Sequence, residues 1–448
     1  MAAPRSSAEV FLIPLDDARY VVYAPLRRCA FIANRSVVRF LASIQNGKWE
    51  SSADPDGSLT RFLRELKIVD AGPEPLPGKP STGPPEPTAL TLLLTTVCNL
   101  RCTYCYASAG EFPVRFMSMD VARRGIDFVA ANAARRKPQY FEVGFHGPGE
   151  PTLNWEVLTG SVKYAREKSA AIGVGVQTSV ATNGVFSDKQ IDWIVGNLSG
   201  ANVSFDGLPA MHDSHRKTKT GAGSSAKVMH TLRRFDESRF AYGVRITVMA
   251  DHIATLPEAV DFIYSEFRPS GILIEPVYHL GRGRQTVSAE TEDFVTAFRA
   301  ARERARRHGR MIAFSAARAD SLTIHYCGLS QDSFCLAPDG EATGCYEVWS
   351  KSSRWAKLFF IGEPSGQEGY KFDLPVVDHL RSQTVLNRPF CQGCFAKWHC
   401  GGDCYHKALE LNAGGEFRGA GRCHITRELT KDRILERISE SGGVVWRG

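Results

Sequence analysis

The chain has 448 residues, 43% of them hydrophobic and 23% charged, a balance that excludes wholesale disorder and supplies apolar material for two or three domains. Its formal net charge of +7 is modest for this length and its Lys and Arg are scattered, which suits an acidic peptide partner and does not demand nucleic acid. The stretch from Met1 to Val10 lacks a basic segment followed by an apolar one, and no apolar run approaches the ~20 residues of a membrane helix, so the expected setting is the cytoplasm with no membrane partner.

The first elements in chain order are strands at Phe11 to Leu15 and Tyr20 to Ala24 around an Asp-Asp turn, with a third at Cys29 to Ala33. Asn34 and Ser36 offer caps for a helix through Ser43, and Leu59 to Leu66 has the apolar spacing of a second helix. Short strands followed by two helices suggest a winged-helix-like domain over residues 1–75. Arg27, Arg28 and Arg35 keep a DNA-gripping alternative open, but neither helix carries the dense basic stripe that phosphate contacts require. The segment AGPEPLPGKPSTGPPEPT, from Ala71 to Thr88, favours an extended spacer, and residues 76–88 are expected to be a Pro-rich linker.

From Ala89 apolar strands alternate with amphipathic helices, the pattern of a parallel sheet built from βα units. Six strands are predicted, at Leu90 to Val97, Tyr140 to His146, Val174 to Ala181, Ala201 to Phe205, Ala241 to Met249 and Gly271 to Val277. Six units make a partial (β/α)6 TIM-like barrel over residues 89–310, an α/β fold whose active site is expected at the carboxyl ends of the strands. Beyond about residue 310 the rhythm stops and Gly, Pro and Cys dominate, so residues 311–448 read as a loop-rich domain stapled by metal.

Twelve cysteines in a reducing compartment point to metal more than to disulfides. Cys98, Cys102 and Cys105 form C-x3-C-x2-C directly after the first barrel strand, and three thiolates in one loop suit three irons of a [4Fe-4S] cube with the fourth iron open. A zinc knuckle with a remote fourth ligand is the alternative. Further on, Cys391, Cys394, Cys400 and Cys404 read C-x2-C-x5-C-x3-C, followed by Cys423 and preceded by Cys327, Cys335 and Cys345. Eight thiolates satisfy two complete [4Fe-4S] clusters, against two four-cysteine zinc sites. Cys29 stands apart and reads as a buried apolar residue.

The sentence TTVCNLRCTYCYA, with Tyr104 before its last cysteine, resembles the radical S-adenosylmethionine family. That resemblance implies that the open iron chelates the methionine part of S-adenosylmethionine and that one electron cleaves it to a 5'-deoxyadenosyl radical. It further implies cofactor contacts from Gly149 and Glu150 in GPGEP (Gly147 to Pro151), similar to the family's GGEP, from Asn183 in Thr182-Asn183-Gly184, and from Ser204 in Ser204-Phe205-Asp206-Gly207. Arg216, twelve residues beyond Ser204, would meet the cofactor carboxylate, and Ile274 would line the adenine.

The later cysteines resemble the SPASM extension of radical enzymes. By that resemblance Cys327, Cys335, Cys345 and Cys404 hold one auxiliary cluster and Cys391, Cys394, Cys400 and Cys423 a second. Related sulfatase maturases place an Asp beside the third cysteine, where this chain has Cys345-Tyr346-Glu347, so Tyr346 and Glu347 are the candidate catalytic substitutes. The head resembles the PqqD-like modules that bind a leader peptide by strand addition. Together these resemblances imply a maturase of a ribosomally made peptide, fed by a flavodoxin- or ferredoxin-like electron donor and most simply forming a side-chain cross-link. Alternatives are a sulfatase-maturase-like protein oxidase, a peptide epimerase, and an iron-sulfur or peptide-binding adaptor without turnover.

Overall fold

The fold is that of a computed structural model, which describes residues 4–49, 54–318, 320–366 and 369–448. The chain divides into two compact units, each discontinuous in sequence. One comprises Met1–Lys79, Ala316–Tyr326 and Thr384–Gly448, and the other Pro80–Ser315 and Cys327–Gln383.

In the first unit, β1 (Phe11–Pro14), β2 (Arg19–Ala24) and β3 (Cys29–Asn34) form an antiparallel meander. Asn34 then caps the helix Arg35–Gln45 by accepting from the amides of Ser36 and Val37, and a second helix runs Ser58–Glu65. Their apolar faces close over Val22, Ala24, Phe31, Phe40, Leu41 and Leu63, all nearly inaccessible to solvent. A strand from the far end of the chain, β15 (Val445–Arg447), completes the sheet on the outer side of β3, giving the order β1-β2-β3-β15.

The second unit is built on β4 (Ala89–Leu93), β5 (Tyr140–His146), β6 (Gly175–Thr182), β7 (Gly200–Ser204), β8 (Tyr242–Val248) and β9 (Ile272–Pro276), six parallel neighbours in sequence order. Runs such as Leu92, Val143, Val203 and Ile274 are wholly buried, because helices cover the outer face of a parallel sheet. Those helices are set by local signals, for example the Ser118 cap of Met119–Arg136 and the Ser187/Gln190 capping box of Asp188–Asn197.

The sheet continues past both ends of the six-strand array. A two-residue β10 (Ile312–Ala313) adds to β9, and β11 (Cys335–Leu336) adds parallel to β4. Antiparallel β12 (Ala342–Thr343), β13 (Phe360–Ser365) and β14 (Gly369–Phe372) follow, so eleven strands form one sheet among the described residues. The cysteine-bearing hairpin is thus laid down as further sheet beside the first barrel strand.

Candidate active site and cluster-binding cysteines

β4 stops at Leu93, and the loop that follows carries Cys98, Cys102 and Cys105. Three neighbouring segments hold it through the backbone. The Arg101 amide donates to Lys217 O (2.7 Å) and that of Thr103 to His215 O (3.0 Å); from the GPGEP turn, Gly149 N reaches Thr95 O (2.9 Å) and Glu150 N reaches Val97 O (2.8 Å). The third clamp was not anticipated from sequence: Arg282 donates through Nε to Cys102 O (2.8 Å) and through its amide to Cys105 O (3.0 Å).

Glycine is required at two of these crossings. A Cβ on Gly149 would stand 2.1 Å from Val97 O, and one on Gly281 2.4 Å from Cys105 O. The amides of Leu100 and Ala109 point at Cys98 Sγ (3.4 Å) and Cys105 Sγ (3.5 Å), an arrangement suited to thiolates. Burial pushes the Cys98 thiol up to about 12, so ionisation there depends on cationic ligands such as irons. All twelve cysteines are free of disulfides.

Glu150 is 2% exposed, and its observed partners are protein donors: Thr152 Oγ1 (2.9 Å), Thr152 N (3.3 Å), Thr182 Oγ1 (2.8 Å) and Asn183 N (2.8 Å). These bind the turn after β5 to the end of β6. Burial raises its carboxyl above the ordinary range, opposed by those same hydrogen bonds. Asn183 extends the tie to the cysteine loop, with Nδ2 at 2.7 Å from Asn99 Oδ1 and 3.8 Å from Cys98 Sγ.

Tyr104 and Arg216 come together with Asp206, a residue the sequence displayed in its S-F-D-G turn but did not single out. The Tyr104 hydroxyl donates to Asp206 Oδ2 and accepts from Arg216 Nη1 (2.9 Å), while Asp206 Oδ1 accepts from Thr247 N (3.1 Å). Burial opposes the Arg216 charge, but Cys102, Tyr104 and Asp206 hold the guanidinium well above its ordinary value. Arg216 Nε is buried and has no hydrogen-bond partner among the described residues. An unsatisfied guanidinium donor beside the cysteine loop fits the carboxylate of an amino-acid-bearing cofactor. Ser204 stands half-buried at the end of β7, and Ile274 lies wholly buried within β9.

At the same strand ends the Tyr346 ring stacks on His146, with centroids 4.4 Å apart. His146 Nδ1 lies 2.8 Å from Gly147 O, which can only accept, so Nδ1 carries the proton and Nε2 is left as an acceptor. Burial holds this imidazole below its ordinary value. Tyr346 is 37% exposed as a residue, but desolvation of its hydroxyl end and the Glu347 carboxylate beside it hold that hydroxyl well above its ordinary value, so Tyr346 remains a neutral donor. Arg245, on β8, shares this environment with Glu275, Tyr346, Glu347 and Tyr278. Neither His146 nor Arg245 was singled out from sequence, since only the fold brings β5, β8 and the segment after β12 together.

Of the later cysteines, Cys327, Cys335 and Cys345 belong to the barrel unit and Cys391, Cys394, Cys400, Cys404 and Cys423 to the other. Cys335 lies within β11, opposite Thr91 and Thr343, and burial pushes its thiol up to about 11. Cys391, Cys394, Cys400 and Cys423 line one cavity of about 260 Å³, which Cys404 does not line. The wall of that cavity is organised by a buried ion pair. Asp403 accepts from Arg422 at 2.8 Å and from the amides of Cys404 (2.7 Å) and Ala420 (3.0 Å), and both side chains are at most 3% exposed.

Residues 92–263 match the Radical SAM superfamily. Among curated proteins the chain is 27% identical over 199 residues to Fe-coproporphyrin III synthase of Methanosarcina barkeri, covering 44% of this chain and 46% of that one. It is 26% identical over 179 residues to the sporulation killing factor maturation protein SkfB of Bacillus subtilis, covering 39% of each. The chain thus spans less than half the length of these two relatives. Among solved structures, anSMEcpe with bound AdoMet and Cp18Cys peptide superposes with a TM-score of 0.61 at 16% identity, over 79% of this chain and 99% of that one. SuiB of Streptococcus suis bound to S-adenosylmethionine superposes with a TM-score of 0.56 at 12% identity, over 94% and 99%. At these identities the likeness is one of fold.

Proposed function

We propose that the chain is a radical S-adenosylmethionine maturase that removes hydrogen from a ribosomally made peptide, forming a side-chain cross-link. The observation that carries the reading is the three-thiol loop held under the buried Tyr104–Asp206–Arg216 triad, where a guanidinium donor is unsatisfied at the place a cofactor carboxylate would occupy. Bound there, a [4Fe-4S] cluster on Cys98, Cys102 and Cys105 and S-adenosylmethionine would supply one-electron cleavage to a hydrogen-abstracting radical.

The chain's own part is placement and proton handling. Arg216 and Ser204 orient the cofactor, Glu150 and Asn183 fix the loop beneath it, and the neutral His146–Tyr346 stack offers an acceptor and a donor beside the reacting residue. The cavity in the other unit, with four cysteines in its lining, supports a second cluster that accepts electrons, which suits a net oxidation. A peptide substrate is supported by the names of the relatives, one a maturation protein and one carrying a bound peptide. The head sheet has its edges at β1 and β15, so an added leader strand would pair at one of these.

The test is anaerobic incubation of the reduced, cluster-loaded chain with S-adenosylmethionine, alone and with peptides encoded beside its gene. The expected products are 5'-deoxyadenosine and a peptide lighter by two hydrogens. A fully iron-loaded sample that yields no 5'-deoxyadenosine overturns the reading.

A further inference from the structure

Next to the cysteine loop, where His215 meets Thr103, one donor set is used by nothing described above. His215 Nε2 lies 3.0 Å from Asp251 Oδ2, His252 Nε2 lies 3.8 Å from Asp251 Oδ1, and the three ligand atoms are all within 4.8 Å of one another. His215 and His252 are 8% and 6% exposed, with rings 4.3 Å apart and edge to face, whereas Asp251 is open to solvent. His252 Nε2 is buried, turned toward this group, and has no hydrogen-bond partner among the described residues.

We propose that His215, Asp251 and His252 form a binding site for a single divalent cation of the zinc type. Two imidazole nitrogens and a carboxylate are a preferred zinc donor set, with water in the fourth position on the solvent side. Ligands of a tetrahedral zinc ion stand about 3.3 Å apart, so atoms now within 4.8 Å of one another must draw together by up to roughly 1.5 Å to close the site.

The second nitrogen of His215 is already oriented, with Nδ1 at 2.8 Å from Thr103 Oγ1. Without metal, Nε2 donates to the Asp251 carboxylate and Nδ1 accepts from the threonine hydroxyl. With metal on Nε2, Nδ1 carries the proton and donates to Thr103 Oγ1, the usual outer hydrogen bond of a ligating histidine. Because Thr103 lies between Cys102 and Cys105, and His215 directly precedes Arg216, the cation would bolt the turn after β8 to both the cluster loop and the cofactor-facing arginine. Its role would be to hold these segments together, and its occupancy does not depend on turnover.

The test uses the full chain with its iron-sulfur clusters assembled anaerobically, then exposed to zinc and desalted. The wild type is expected to retain one zinc per chain beyond its iron complement, with a zinc absorption-edge shell of nitrogen and oxygen at about 2.0–2.1 Å. Asp251→Ala, at an exposed position, is expected to retain at least tenfold less zinc while loading iron normally, and His252→Ala likewise. Equal zinc in wild type and Asp251→Ala overturns the proposal. So does a sulfur shell near 2.3 Å in the wild type, which would place the zinc on cysteines.

Discussion

Replacing Asp403 by Ala tests whether the buried ion pair is what holds the four-cysteine cavity together. Arg422 is 1% exposed; besides Asp403 it reaches the Tyr326 hydroxyl, and its guanidinium lies 5.1 Å from the Tyr326 ring centroid. Removing the carboxylate breaks the buried Asp403–Arg422 pair, and losing one partner of a buried pair costs about 3–5 kcal/mol. The amides of Cys404 and Ala420 lose their acceptor as well. For a unit of this size, at about 2–4 °C per kcal/mol, the midpoint of its thermal transition should fall by roughly 6–20 °C. Asp403→Asn keeps an oxygen for the amides and an uncharged acceptor for the arginine, so about 1.5–3 kcal/mol is expected. Adding Arg422→Met to Asp403→Ala should recover part of the loss, because it removes the buried guanidinium that Asp403 neutralises. Differential scanning calorimetry of the cluster-loaded chain, with iron counted per chain before each scan, measures all three. A midpoint for Asp403→Ala within about 2 °C of wild type, at equal iron, would refute the assignment of this pair as the organiser.

Further expectations follow from other sites. Gly149→Ala must push Val97 O away from the cysteine loop, so iron at the first cluster should fall at least several-fold by iron analysis. Gly196→Ala, which meets nothing within 4 Å near the end of the helix Asp188–Asn197, should instead stabilise the chain by about 0.5–1 kcal/mol in urea unfolding. Tyr104→Phe breaks the link between Asp206 and Arg216, and at about 1.5–3 kcal/mol per charged hydrogen bond should weaken S-adenosylmethionine binding at least tenfold in equilibrium dialysis, with iron content unchanged. Burial, with Arg216 adding to it, pushes the His212 imidazole down to about 2. Its folded value is depressed, so the stability it contributes is full above the unfolded value near 6.5 and is lost as the pH falls below it, by roughly 2–3 kcal/mol at pH 4.5. Urea midpoints should show that acid slope, and His212→Gln should flatten it.

The six barrel strands are legible because a strand covered on both faces is written as an unbroken apolar run, and Tyr140–His146 coincides with its predicted span. The first run misleads at its end. Leu94 to Val97 are as apolar as a strand, yet the strand stops at Leu93, because the next backbone groups serve the cluster loop: Thr96 N donates to Arg115 O, and Thr95 O and Val97 O accept from the GPGEP turn. Strands β10, β11 and β12, of two residues each, and β15, of three, carry no periodicity and exist only through distant partners such as Thr91 for Cys335 and Phe31 for Val445. The site divides in the same way. Cysteine spacing and glycine-rich turns are local and visible, whereas the Asp206 bridge, the His146–Tyr346 stack and the Arg282 clamp join residues 41 to 200 positions apart, for which local patterning has no signal.

The pairing of β15 with β3 has a consequence for synthesis. Ile32 N donates to Val444 O and Gly448 N to Arg28 O, flanking the three paired residues, so the outer rim of the head is sealed by a segment translated some 410 residues after it. At 5–20 residues per second the nascent head waits roughly 20–80 s with that rim open, long enough for the whole barrel to emerge and fold first. During that interval an unpaired strand edge is at its most prone to pairing with a foreign chain. Slowing the ribosome over the final segment, or supplying that segment late as a separate peptide, should therefore shift the yield of correctly assembled protein far more than the same manipulation applied within the barrel.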